Sequence, residues 1–241
     1  MKLAFSLAAL AALAPIVTAQ NFSYEMGLDG WTTGGNAYQE SAASFGPSAT
    51  DGDFYAVIDS GDRPLNNDFF NPTTNPTGVS ADDLTSLVGQ DKASLDSAFG
   101  IDSFDISYLA FEFTVTAGDV ISFDWKFLTN EFPGTEILDT AFVATSQGDL
   151  ISLANVDTAT YLDFPDAVMS FETGWTRSSI TAQTSGSLTV LFGIADDFST
   201  DMGSALALDN VTVTPVPEPS TYAALAGLGV LGLVALRRRR A

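Results

Sequence analysis

"YLAFEFTVTAGDVISFDWKF", Tyr108 to Phe127, alternates large apolar residues with small or polar ones on both sides of a central Ala117-Gly118-Asp119. Leu109, Phe111, Phe113 and Val115 share one phase before the break, and Ile121, Phe123, Trp125 and Phe127 share one after it. A period of two sustained over runs this long is the mark of half-buried strands, and the Gly-Asp pair supplies the turn. The stretch predicts a hairpin with one wet face, on which Glu112, Asp124 and Lys126 meet and the lysine offsets its acidic neighbours. Trp125 falls in the apolar phase and belongs to the core.

Outward from this stretch the same pattern recurs. "TAFVATSQGDLISLANV", residues 140 to 156, predicts a second hairpin with Ser146 to Asp149 as its turn, and further strands are expected from Phe54 to Asp59, Ser187 to Ala195 and Ala205 to Thr214. Short strands, Gly/Asp turns and little helical periodicity point to an all-β antiparallel sandwich or jelly roll. Residues 61 to 79, rich in Asn and Pro, are expected to run over the surface as a loop. Ser80 then caps Asp82 and Asp83, and Leu84, Leu87 and Val88 follow at helical spacing up to Gly89, which predicts one short helix in this region and not two.

The last strand carries an irregularity. In "SALALDNVTVTP", residues 204 to 215, the large apolar side chains are Leu206 and Leu208, then Val211 and Val213, so the even phase becomes odd across Asp209-Asn210. A strand cannot make that change without a bulge, a twist or burial on both faces; if Leu208 and Val211 both point inward, Asp209 and Asn210 sit at the irregularity, and an acid there needs a partner.

Both ends of the chain read as export signals. Lys2, the apolar run from Leu3 to Pro15 and the small residues Val17-Thr18-Ala19 make a signal peptide over residues 1 to 19, cut by signal peptidase after Ala19; an uncleaved anchor is the alternative, and 13 residues make a poor span. At the other end the uncharged run Tyr222 to Leu236 reaches roughly 22 Å as a helix against about 30 Å of bilayer hydrocarbon, short for a permanent transmembrane helix. Arg237, Arg238, Arg239 and Arg240 hold its end on the cytoplasmic side, which puts the preceding body, residues 20 to 214, across the membrane.

That body is strongly acidic. It keeps four basic residues, Arg63, Lys92, Lys126 and Arg177, against 29 acids, a formal charge of −25. Nucleic acid is excluded as a partner because no basic footprint remains for phosphates. The chain has no Cys and no His, which removes disulfides, Cys/His zinc sites and Ser-His or Cys-His nucleophiles. The like charge repels itself, and a hard cation such as calcium would relieve it through carboxylate and carbonyl oxygens.

Pro217-Glu218-Pro219, then Ser220-Thr221, an apolar segment and a terminal arginine cluster, residues 215 to 241, resemble the PEP-CTERM sorting signal of Gram-negative bacteria. The resemblance implies recognition by an exosortase, cleavage near Pro217-Glu218-Pro219, transient anchoring by the helix, and release or re-attachment at the cell surface in an exopolysaccharide or biofilm setting. "NFSYEMGLDGWTTGG" near residue 21 and "GSALALDNVTV" near residue 203 together resemble the opening and closing strands of carbohydrate-binding-module-like jelly rolls, which implies Glu25 and Asp209 as ligands of a structural calcium; a solvated Glu25 and a turn-capping Asp209 are the plainer reading. The stretch from residue 108 to 213 is similar to choice-of-anchor domains of the L-like type, a group with no established enzymatic role to carry over.

Other candidate sites come from clustering. Asn130-Glu131 and Asp139 flank one loop and Asp196, Asp197 and Asp201 crowd another; these acids are solvated, or some of Glu131, Asp139, Asp196 and Asp201 are bridged by calcium, and their spacing is not that of an EF-hand. Trp31 and Trp175 each follow a Gly turn and are candidate sugar platforms, with core packing as the alternative. Carboxylates alone can carry glycoside hydrolysis, but no pair stands out. The sequence therefore points to an exported surface or matrix protein with a structural or binding role and no enzymatic activity. A carbohydrate-binding module with a defined glycan site comes second, and a carboxylate-dependent glycosidase or lyase third.

Overall fold

The structure is a computed structural model and describes residues 20–60, 79–161, 169–197, 203–216 and 219–240. Its strands, in chain order, are β1 (Gln20–Phe22), β2 (Thr32–Gly34), β3 (Asn36–Ser41), β4 (Phe54–Asp59), β5 (Ser103–Val115), β6 (Val120–Thr129), β7 (Thr140–Thr145), β8 (Leu150–Asn155), β9 (Thr160–Tyr161), β10 (Phe171–Glu172), β11 (Thr176–Thr181), β12 (Gly186–Asp197) and β13 (Ser204–Thr214). They form two antiparallel sheets. The first runs β3-β4-β13-β6-β10-β9, with β1 added to β13 and β11 to β6; the second runs β2-β5-β12-β7-β8. The expected signal peptide (residues 1 to 19) and the Asn/Pro-rich loop (residues 61 to 78) lie outside the described residues.

The long alternating stretch does form two strands, but they do not pair. β5 lies in the second sheet against β12 and β2, whereas β6 lies in the first against β13, β11 and β10. Val115 is opposite Gly186, and Val120 is opposite both Thr181 and Thr214, so residues 116 to 119 carry the chain from one sheet to the other. Asp119 shapes this crossing: its Oδ2 accepts the Thr116 amide at 2.8 Å, and its own amide donates to the Thr116 carbonyl at 2.9 Å. Alternation fixes which face of a strand is buried and says nothing about which strand lies beside it. Leu109, Phe113, Val115, Ile121, Phe123, Trp125 and Phe127 all enter one core between the sheets, as their phase requires, from its two opposite sides.

The shared wet face is corrected by the same observation. Glu112 stands on the second sheet, while Asp124 and Lys126 stand on the first and are themselves buried. Each of the two has its own partner: Lys126 pairs with Glu172 of β10, and Asp124 with Arg177 of β11 at 2.8 Å. The outer face of the first sheet is covered by a second apolar cluster, in which Tyr55, Val57, Leu128, Ala205 and Ala207 meet Phe45 and Met169.

Two short helices cover the outer face of the second sheet. The expected helix forms as a 3-10 turn over Ala81–Leu84 that continues into Thr85–Val88, with the Ser80 hydroxyl accepting the Asp82 amide and Gly89 left-handed at φ 72°. A further helix, Lys92–Phe99, was not anticipated; Asp91 caps it by accepting the Ser94 amide at 2.8 Å, and Gly100 closes it. Leu84, Val88 and Leu95 pack on Ile106, Tyr108 and Ala110 of β5. Leu95 is buried and Phe99, one turn on, packs beside it against Phe142, so the helix has two large apolar anchors, too short a pattern to read as a period. Another single turn, Ala42–Phe45, brings Phe45 onto the first sheet.

Candidate functional site

The phase change in β13 is a bulge. Register shifts between Asp209 and Thr212, and Asn210 takes φ 49°, the one positive φ outside glycine among the described residues. Leu206, Leu208, Val211 and Val213 all reach the central core as a result. Asp209 is left at the irregularity with no exposure. Its Oδ1 accepts the Asn210 amide at 2.7 Å, and its Oδ2 accepts the Thr50 amide at 2.6 Å, the Asp51 amide at 2.9 Å and the Thr50 hydroxyl at 3.0 Å. Burial raises its pKa and these amides pull it back. Asp124, opposite Asp209 in register, accepts Asn210 Nδ2 at 2.9 Å and shares the Thr50 hydroxyl, while Arg177 neutralises it.

Glu25 serves the same loop from its other end. Its Oε1 accepts the Asp53 and Phe54 amides at 2.9 and 3.0 Å, and a side chain at Gly52, which has φ 74°, would collide with it. The structure thus brings Glu25 and Asp209 to one loop, residues 50 to 54, where the oxygens that contact it are taken by backbone amides. Beside them the buried Tyr24 hydroxyl has no hydrogen-bond partner, and burial together with the Asp209 charge pushes its pKa well up.

At the far end of the sandwich Glu131, Asp139, Asp196 and Asp197 are all buried, between 0% and 6% exposed. Asp139 accepts the Asp197 amide at 2.9 Å on Oδ1, shares hydrogen bonds with Ser204 and Asp196, and keeps Oδ2 buried with no donor. Burial, with Asp197 beside it, raises its pKa to about 6. Asp197 is an architectural acid: its Oδ1 accepts the Asp102 amide at 2.9 Å and its Oδ2 the Leu138 amide at 3.0 Å. Glu131 lies in the turn after β6, where its amide donates to Thr129 Oγ1 at 2.9 Å. Asp201 lies outside the described residues. Among the described residues no group of three or more acids converges as a metal cage would.

Trp31 packs among Tyr24, Phe111 and Phe192, and Trp175 stands edge-on to Tyr55 with its indole N–H donated to the Ser48 carbonyl at 2.9 Å. Sequence reasoning missed the loop from Thr50 to Asp53 and the Asp124–Arg177 pair, and it placed Asp197 among crowded loop acids without its role as an acceptor. Their only signal was a charge in the middle or at the end of a strand.

The tail leaves the sandwich under restraint. The Val216 amide donates to Asp119 Oδ1 at 3.0 Å, one residue before Pro217. Pro217 and Glu218 lie outside the described residues, Pro219 opens a helix, Pro219–Arg240, and Arg237 to Arg240 form its last turn. Among the described residues no helix is long and apolar enough to cross a membrane.

The chain carries a PEP-CTERM protein-sorting motif. The match covers residues 215–240. The motif implies export, processing by an exosortase and anchoring through the C-terminal signal. No curated protein matches the chain. In overall structure it is similar to adhesin and carbohydrate-binding β-sandwich domains. These include the K1 cleaved adhesin domain of Lys-gingipain from Porphyromonas gingivalis W83, at 12% identity over 83% of this chain and 99% of that one, TM-score 0.48. A family 35 carbohydrate-binding module from Clostridium thermocellum matches at 13% identity over 83% and 100%, TM-score 0.34, and TmCBM61 in complex with β-1,4-galactotriose at 11% over 80% and 94%, TM-score 0.39.

Two measurements check the acidic centres. Asp209→Ala takes the acceptor away from the amides of Thr50, Asp51 and Asn210 and is expected to cost about 2 kcal/mol, read as a fall in Tm, whereas Asn210→Gly, at a φ that glycine adopts freely, stays within about 1 kcal/mol. Asp139 has its folded pKa raised above the unfolded value of 3.8, so its contribution is full below about pH 4 and is lost as pH rises through about 6. The two-unit rise corresponds to about 3 kcal/mol. In chelator the protein is expected to melt higher at pH 5 than at pH 7.5, and Asp139→Asn flattens that difference.

Proposed function

We propose that this chain is an exported β-sandwich of a Gram-negative cell surface, delivered by its PEP-CTERM tail and serving a structural or binding role in the extracellular matrix. One observation carries the reading: the sorting motif begins at Pro215, directly where β13 ends at Thr214, so the last strand of the sandwich runs into the processing signal. The apolar run Tyr222 to Leu236 is too short for a comfortable permanent span and suits a transient one that is discarded after cleavage. The mature body would then keep its 29 acids and only four basic residues. Such a surface stays solvated and monomer-repelling, and it fits a hydrated exopolysaccharide matrix better than an anionic ligand.

The reading includes no catalysis. Asp209, Asp197 and Glu25 spend carboxylate oxygens on backbone amides, and Asp124 is neutralised by Arg177. A hard cation of the calcium class fits the far end of the sandwich better than the Glu25–Asp209 pair, because Asp139 Oδ2 is buried there without a donor. The Glu25–Asp209 pair suits it less, since both Asp209 oxygens and Glu25 Oε1 already accept backbone amides.

Intact-mass measurement of surface material tests the sorting reading: a C-terminus near Pro217 is expected, and a retained Arg240 would leave only a tail anchor. For the cation, calcium at ten times its Kd is expected to stabilise the protein by about 1.4 kcal/mol, read as a rise in Tm over chelator that Asp139→Asn abolishes. An identical melt in calcium and chelator removes it.

A further inference from the structure

Past its last paired residue, β13 is caught once more. The strand pairs with β1 as far as Val213 and with β6 as far as Thr214, which lies opposite Val120. The same register carried on sets Val216 opposite Gly118, and the Val216 side chain does lie there, 3.8 Å from where a Cβ on Gly118 would stand. At this rung a side chain supplies the acceptor that the ladder lacks: the Val216 amide donates to Asp119 Oδ1 at 3.0 Å.

The sequence explains why the contact falls on this residue. Pro215 and Pro217 have no amide hydrogen, so Val216 carries the one backbone donor of the three. The residue before a proline is driven to extended backbone, which applies to Thr214 and Val216 and keeps the segment in line with the strand. Asp119 is fixed from the other side. It is 5% exposed, its Oδ2 accepts the Thr116 amide at 2.8 Å, and its carbonyl accepts the Ala182 amide at 2.8 Å. Val216 is 46% exposed, so it is the partner that can leave.

Little chain separates this contact from the helix beyond it. Two residues lie between Val216 and Pro219, where the helix Pro219–Arg240 opens, which is at most about 11 Å of backbone. An enzyme that cuts a backbone takes it as an extended segment of several residues, and a segment bound into a sheet is not free to enter its cleft. Cleavage then follows the population of the opened form.

We propose that Asp119 controls access to the processing signal: while its carboxylate holds the Val216 amide, the chain ahead of Pro217 is withheld from the exosortase, and release of this contact precedes the cut. The inference rests on the sorting reading above. A hydrogen bond to a charged acceptor favours the held form by about tenfold. Its release frees Pro215 and Val216 and leaves the last rungs of β13, at Val213 and Thr214, in place.

The test follows pulse-labelled full chain in cells that process it, reading the rate at which the cut product appears by mass, with Tm measured on each variant. Asp119→Ala is expected to be cut about tenfold faster than the unaltered chain, and Asp119→Asn, which keeps one carbonyl oxygen for two amides, by an intermediate factor. A Gly-Ser-Gly-Ser insert between Val216 and Pro217 moves the motif clear of the contact with Asp119 intact. This chain is expected to be cut as fast as Asp119→Ala, and combining the two is expected to add nothing. Should Asp119→Ala fail to fold, the insert carries the test alone, since its body is unaltered. An insert cut no faster than the unaltered chain overturns the proposal and leaves the sorting reading standing. So does an Asp119→Ala effect that persists at full size in the insert, which would mark Asp119 as acting through the stability of the fold. A chain that keeps its C-terminal arginines in every variant overturns both.

Discussion

Asp209 ties the loop over residues 50 to 53 to the bulge in the last strand. Its carboxylate, fully buried, is the acceptor for the amides of Thr50, Asp51 and Asn210. With Glu25 and Asp124 it holds the loop over residues 50 to 53 onto the first sheet, and it compensates the bulge in β13 for its interrupted ladder. The bulge is what lets Leu206 and Leu208 on one side and Val211 and Val213 on the other reach the same core. A strand in unbroken register would turn one of these pairs outward. β13 lies between β4 and β6 and also carries β1, so the central seam of the sheet depends on this change of phase.

The acids of this protein divide by what they contact. Those that work in the architecture, Glu25, Asp119, Asp197 and Asp209, accept backbone amides, whose fixed dipoles favour the charged form. Few basic side chains are available in any case, and Lys126 and Arg177 are committed to Glu172 and Asp124. Lys92 likewise binds Asp96 and Asp102. Asp139 falls between these groups. It receives one amide and the neighbouring acids, and that combination, burial without enough donors, is what raises its pKa.

Much of this was legible in the sequence, and the limits have physical causes. Period-two alternation identified β4, β5, β6, β7, β8, β12 and β13 because each buries one face in a common core. It could not show that β5 and β6 belong to opposite sheets, since a four-residue turn serves a hairpin and a crossing equally, and both strands present the same face pattern. The irregularity at Asp209 was visible as a phase change in large side chains, which a bulge, a twist or burial on both faces would each produce; the register shift shows that it is a bulge. The carboxylate's partners were not, because Thr50 and Asp51 are bound through their amides and a backbone donor leaves no trace in residue identity. The helix Lys92–Phe99 was hidden for a related reason: its caps, Asp91 and Gly100, are ordinary loop residues until something apolar between them is seen to repeat.

The topology also constrains how such a chain can be handled. β1 and β13 are the first and last strands, and they pair directly. Their seam closes only when Gln20 to Phe22 meet Val211 to Val213, so it needs the whole chain between them. The C-terminal motif begins directly after that last strand, and Asp119 holds Val216 at its start, so the signal leaves from a fixed point of the sheet instead of from a free linker.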